Sequence, residues 1–131
     1  VYARDINTGE CTIMGKPKDA DDAWRMLKSI TSEKHKVMTG VAIIGYLPDS
    51  EDGTSVRPVK RVFYDSTDVF VNPMTDDEIR DYIASGEPFG KAGGYAIQMK
   101  FGKNVDHIDG DFENVVGFPF SHFEEEISMV Y

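Results

Sequence analysis

The sequence predicts an α/β or α+β fold built on a mixed sheet. Three observations lead there: helical and strand periodicities alternate along the chain, two long β-type runs flank a polar, turn-rich segment, and no stretch is repetitive, low in complexity or linker-like. At 131 residues, with 40% hydrophobic and 11% aromatic side chains, the chain is expected to form one domain over 1–131 with a sizeable core.

Each element follows from local pattern. Val1-Tyr2-Ala3 reads as though inside a strand, and Asp5 is placed on the surface, in the turn of a hairpin closing near Gly9. Asp19 to Ile30 reads as a helix: Asp19 or Asp21 can accept from its free N–H groups, and Ala23, Met26, Leu27 and Ile30 recur on one face. From His35 to Leu47, Val37, Thr39, Val41 and Ile43 alternate with Met38, Gly40, Ala42 and Ile44, which predicts a strand largely buried on both faces. Pro48 to Ser55 then forms the exposed tip of a hairpin whose second strand runs from about Val59 to Val71. Thr75-Asp76-Asp77-Glu78 has capping-box spacing ahead of Ile79, Tyr82 and Ile83, and Gly86 is positioned to end that helix. Short strands are expected over Tyr95 to Phe101 and Val105 to Ile108. Pro119 begins a final helix bearing Phe120, Phe123 and Ile127, with Glu124-Glu125-Glu126 on its solvated side.

Composition narrows the function. A net charge of −9, from 23 acidic against 14 basic residues, opposes binding to a nucleic-acid polymer or an anionic membrane surface. No apolar run is long enough to span a bilayer, and the single Cys11 suits a reducing compartment, so a soluble cytoplasmic protein is expected. His35, His107 and His122 are too far apart for a helical metal pair and each reads as a surface or capping residue. A small anionic ligand is compatible with this charge, since a few lysines and a divalent cation can meet it locally.

The segment Glu87-Pro88-Phe89-Gly90-Lys91-Ala92-Gly93-Gly94-Tyr95-Ala96-Ile97-Gln98 suits such a ligand. Gly93 and Gly94 permit positive φ and let backbone N–H groups approach closely, Lys91 offers a point charge for phosphate oxygens, and the Gln98 amide can both donate to and accept from a nucleobase edge. A second lysine, Lys16, stands in Gly15-Lys16-Pro17, where Pro17 holds it extended. Two such lysines could converge on one polyphosphate.

Five motifs in order, Gly15-Lys16-Pro17, His35-Lys36-Val37-Met38-Thr39-Gly40-Val41, Thr67-Asp68-Val69, Lys91 to Gln98, and Gly110 to Pro119, resemble the Maf family of septum-formation-like nucleoside triphosphate pyrophosphatases over nearly the whole chain. The resemblance implies an elongated α/β sheet related to the inosine triphosphate pyrophosphatases, with a cleft between two lobes. It implies hydrolysis of dTTP or UTP to the monophosphate and pyrophosphate, a divalent cation such as magnesium, a small-molecule nucleotide as partner, and a homodimer. By the same resemblance Lys16 and Lys91 contact phosphate as catalytic residues, while Gln98, with Gly93 and Gly94, binds the substrate and selects the base.

Three departures shape the expectation. The family's Ala-Asp-Thr motif, whose aspartate is the proposed general base, lies immediately before the segment that begins here at Val1. The family's Ser-x-Arg-Arg phosphate loop lies further upstream, so the chain is expected to be the C-terminal portion of a larger domain. Gly90 stands where the family usually has an aspartate. An inactive nucleotide-binding or interaction module of the same fold is the competing expectation, and a purine-directed inosine triphosphatase relative is a third. Neither Asp109 nor Asp111 is assigned a metal; Asp111 is expected to cap the turn before Val115-Val116.

Overall fold

A computed structural model describes residues 1–129. Strands β1 (Tyr2–Arg4), β2 (Cys11–Ile13), β3 (His35–Pro48), β4 (Val56–Val71) and β5 (Val105–Asp109) form one sheet in the order β2-β1-β3-β4-β5, paired antiparallel throughout. Helices α1 (Ala20–Ser32), α2 (Asp76–Ala84), α3 (Phe112–Val116) and α4 (Phe120–Ser128) complete the α/β architecture that the alternating periodicities predict, although the sheet is antiparallel rather than mixed and Asp111 caps a short helix rather than a turn. The sheet is elongated because β3 and β4 run 14 and 16 residues in unbroken register, from His35 opposite Val69 to Pro48 opposite Val56.

Local chemistry accounts for the helix ends. The Asp19 carboxylate accepts from the Asp22 N–H at 2.8 Å and opens α1. Thr75 and Glu78 make the reciprocal capping box of α2, and Gly86, at φ +81°, turns the chain out after it. The α1 stripe of Ala23, Met26, Leu27 and Ile30 is buried as its spacing predicts, against Met14, Ile79, Tyr95 and Phe101. Burying each large apolar side chain of this core contributes roughly 1.5–3 kcal/mol. No helix of the described residues is long and apolar enough to cross a membrane.

Several expectations are corrected. Tyr95 to Phe101 is not a strand. A 3₁₀ turn at Ala92–Gly94 leads into local turns, with Met99 N–H on the Ala96 carbonyl and Gly102 N–H on the Met99 carbonyl, and a second 3₁₀ segment spans Lys100–Asn104. Tyr95 and Phe101 are both buried in the α1–α2 core, so this backbone satisfies itself locally while β5 takes the sheet edge beside β4. The hairpin β3–β4 is buried on one face only, as its alternating accessibility shows, because α3 and α4 cover the side carrying Phe63 and Thr67 and leave the other side uncovered.

Asp5 does sit in the β1–β2 hairpin turn, which closes through Gly9 N–H on the Asp5 carbonyl at 2.8 Å, but its carboxylate is buried rather than on the surface. It pairs with Arg25 of α1, which also holds Asp22 at 2.8 Å. The Asn7 N–H, with help from Arg25, keeps the Asp5 carboxyl below the ordinary carboxylate range against the opposing effect of burial. Glu126 is likewise not a freely solvated member of the acidic run: it accepts from Arg61 Nε at 3.0 Å and ties α4 to β4. His122 sits between Asp65 and Glu126 and packs its ring on Phe63, and His107 stacks on Phe70.

Candidate active site

The two lysine-bearing turns meet through their backbones. Gly93 N–H donates to the Gly15 carbonyl at 3.0 Å, so the turn after β2 and the glycine-rich turn after α2 form one surface despite nearly eighty intervening residues. Sequence restricts what can stand at this junction. Gly93 has φ +72°, and a Cβ added there would lie 2.8 Å from Val1 Cγ2. Only glycine meets both conditions. Gly94, at φ +86°, lies against Pro17, whose ring would be 3.7 Å from an added Cβ.

On this surface Lys16 is exposed, and Lys91 is half-buried with its ammonium donating to the Glu87 carbonyl at 2.6 Å. Gln98 is exposed in the turn that follows. Lys91 faces a cavity of about 300 Å³ together with Val37, Met38, Thr39, Tyr95 and Asn114. Neither Lys16 nor Gln98 lines it. The structure therefore brings the Lys16 and Lys91 turns together by backbone contact and places Gln98 a short distance along the same segment, outside the cavity.

Tyr95 and Asn114 line the cavity, and each is bonded to a buried polar group behind it, His35 and Thr67, that the linear sequence does not single out. His35 is the first residue of β3 and is buried rather than superficial, with Nε2 2.6 Å from the Tyr95 hydroxyl. Burial pushes the imidazole down to about 4 and the phenol above its ordinary value, so both are neutral near pH 7. Asn114 is fully buried and donates from Nδ2 to the Val37 carbonyl at 2.9 Å and to Thr67 Oγ1 at 3.0 Å. The Thr67 hydroxyl in turn donates to the Asp111 carbonyl at 2.9 Å. Asp111 caps α3 through the Glu113 N–H at 3.2 Å, in line with its expected capping role. A signal for His35 was present, since it is in phase with Val37 and Thr39 on the covered side of β3. Asn114 lay inside a quoted motif, but nothing in the linear pattern showed that its amide would join two strands.

The cavity carries one cationic side chain, Lys91, and no carboxylate. Among the described residues no group of three His, Cys, Asp or Glu side chains is arranged to hold a metal ion. Gly90, where an aspartate is usual in the family the motifs resemble, has φ +84° with open space around it. An aspartate there would have to adopt a left-handed backbone.

A model of the Maf-like protein family matches residues 4–130. Over 118 residues the chain is 40% identical to the dTTP/UTP pyrophosphatase of Agathobacter rectalis, a match covering 90% of this chain and 55% of the relative. It is 43% identical over 118 residues to the dTTP/UTP pyrophosphatase of a Geobacillus species, covering 90% and 58%. A probable bifunctional dTTP/UTP pyrophosphatase/methyltransferase protein from Homo sapiens is 41% identical over 119 residues, covering 91% of this chain and 19% of the relative. The chain spans about half the length of the bacterial relatives it matches.

Proposed function

The chain belongs to the Maf-like protein family, and on that footing we propose that it is the nucleotide-holding portion of a nucleoside triphosphate pyrophosphatase acting on dTTP and UTP. The observation that carries this reading is the bond between Gly93 N–H and the Gly15 carbonyl, which joins the turns of Lys16 and Lys91. Ammonium groups on adjoining turns suit the oxygens of one triphosphate.

In the proposed reaction water attacks the α-phosphorus, the bond between the α-phosphorus and the bridging oxygen breaks, and pyrophosphate departs with the electron pair. Lys16 and Lys91 counter the charge that develops on the departing oxygens. Gln98 pairs with the O4 and N3–H edge shared by uracil and thymine, and Gly93 and Gly94 allow the backbone to approach the substrate. The aspartate that would activate water is expected upstream of Val1. Magnesium is the proposed cation. The described residues do not by themselves fit it, because they offer no cluster of carboxylates, so the roles assigned to this chain are binding and charge neutralisation. Homodimeric assembly and a cytoplasmic location belong to the same proposal. The second reading, a nucleotide-binding module without catalysis, is favoured by Gly90 in its left-handed conformation.

Calorimetric binding of UTP, dTTP, CTP, ATP and uridine, together with pyrophosphate release in magnesium, tests the proposal. UTP and dTTP are expected to bind most tightly, and Lys91→Ala to weaken every triphosphate about tenfold or more while leaving uridine little changed. Gln98→Ala should reorder the nucleotides more than it weakens the best one. Triphosphate binding that Lys16→Ala and Lys91→Ala leave unchanged would remove the proposal; binding without pyrophosphate release would select the second reading.

A further inference from the structure

The fully buried amide of Asn114 has one end in use and one end free. Its Nδ2 donates to the Val37 carbonyl at 2.9 Å and to Thr67 Oγ1 at 3.0 Å, while Oδ1 has no hydrogen-bond partner among the described residues. The Val37 carbonyl can only accept, so the amide cannot be turned over to exchange its two ends. A buried carbonyl oxygen without a donor is costly and uncommon in a folded protein. Asn114 lines the same cavity of about 300 Å³ as Lys91, so the unused acceptor belongs to a residue on the wall of the candidate site. That placement points to a donor supplied by a ligand.

Which donor it takes follows from the parts of a nucleoside triphosphate, and here the inference rests on the function proposed above. Phosphate oxygens only accept at neutral pH and would be repelled by Oδ1. The base edge is assigned to Gln98, which lies outside the cavity. The pentose hydroxyls remain, and in a nucleotide they stand between the base and the phosphates that Lys91 would meet. The cavity is at the small end of ligand pockets, which run to roughly 300–1,000 Å³, so it suits a sugar ring rather than a whole nucleotide. Val37, Ala92 and Val115 share its lining and offer apolar contact to the C–H faces of such a ring. Of the two pentose hydroxyls, the 3′ group is common to UTP and dTTP, whereas dTTP lacks the 2′ group.

We propose that Asn114 is a specificity-determining residue whose Oδ1 accepts a hydrogen bond from the 3′-hydroxyl of the bound nucleotide. Its Nδ2 bonds to β3 and β4 fix the acceptor before the ligand arrives, so the contact orders no further side chain. A nucleotide without the 3′-hydroxyl leaves the oxygen buried and unpaired, which makes rejection stronger than the net worth of one hydrogen bond. The 2′ position meets no such acceptor, so ribose and deoxyribose are accepted alike.

Calorimetric titration of the chain with dTTP, 2′,3′-dideoxythymidine triphosphate, UTP and dUTP, read beside the side-chain amide resonances of Asn114, tests the contact. Loss of the 3′-hydroxyl is expected to weaken binding about tenfold or more, and loss of the 2′-hydroxyl to change it less than about threefold. Asn114→Ala should bring dTTP down to the affinity of the dideoxynucleotide, which itself stays little changed. In wild type the Asn114 amide resonances should move further with dTTP than with the dideoxynucleotide, a readout that needs no variant. Equal affinity for those two ligands, equal movement of the resonances, or a uniform loss across all four nucleotides in Asn114→Ala would overturn the proposal and leave the pyrophosphatase reading standing. No triphosphate binding, or binding that Lys16→Ala and Lys91→Ala leave unchanged, would instead remove that reading and this inference with it.

Discussion

The hydroxyl of Tyr95 and Nε2 of His35 lie 2.6 Å apart, with the two rings edge-on and both side chains buried. This contact joins the first residue of β3 to the residue that follows the glycine-rich turn, so Tyr95, which lines the Lys91 cavity, is held from behind by a neutral imidazole. Lys91 is the cationic side chain that lines the cavity.

That contact predicts a pH dependence of stability. The imidazole titrates at its ordinary value of 6.5 in the unfolded chain and, through burial, at about 4 in the folded one. Between these values the unfolded chain binds a proton that the folded chain refuses. Stability is therefore undiminished above about pH 6.5 and declines as pH falls toward about 4, by on the order of 3 kcal/mol in total. Carboxylates held below their ordinary range, such as Asp5 and Asp68, lose their contribution in the same direction, in a lower window. Thermal melts across this range measure the decline, and His35→Phe should flatten the part between about 6.5 and 4. An equal slope in wild type and variant would contradict the assignment.

Gly93→Ala is expected to destabilise the protein by roughly 1–3 kcal/mol, because the methyl group meets Val1 while the backbone remains in a left-handed conformation. Relief of that contact would pull the turn from the Gly15 carbonyl and separate the two lysine turns. A lowered Tm together with weaker triphosphate binding is the expected pair of results. Gly86→Ala serves as the comparison, since its φ of +81° imposes a similar backbone cost with no atom within 4 Å of the added carbon; it should lower Tm and leave binding unchanged.

The orientation of the Asn114 amide follows from its partner, because the Val37 carbonyl can only accept. Asn114→Ala leaves that carbonyl and the Thr67 hydroxyl without their donor and should cost about 2 kcal/mol in chemical denaturation. Asn114→Asp should cost more at neutral pH, since it buries a carboxylate against a carbonyl oxygen, and the difference between the two variants should shrink in acid. Equal stability of both variants and wild type would show that the joint between β3, β4 and α3 is dispensable.

How much of this could be read in advance differs from element to element. Helix α1 was legible because its capping aspartate and its apolar spacing agree, and α2 because Thr75 and Glu78 complete a local capping box. The segment from Tyr95 to Phe101 was not, since alternating apolar residues suit a strand and equally suit a turn that sends two aromatic rings into one core. The one-sided burial of β3 was hidden for a related reason: apolar residues on both faces look alike in sequence, whether the second face meets helices or lies uncovered. At the candidate site Lys16, Lys91 and Gln98 stood out by type and motif, whereas His35 and Asn114 have roles set by partners 60 and 77 residues away.

Sequence alone determined the starts of α1, α2 and α4, the long hairpin, the positive φ of Gly93 and Gly94 and the family, because each depends on side-chain chemistry over a few neighbouring residues or on motifs in fixed order. Tertiary structure decided which turns meet, which carboxylate is buried with an arginine, which histidine is neutral and which face of the hairpin stays open. Those properties depend on desolvation and on contacts between residues far apart in the chain, and both come into being only when the sheet and helices close over one another.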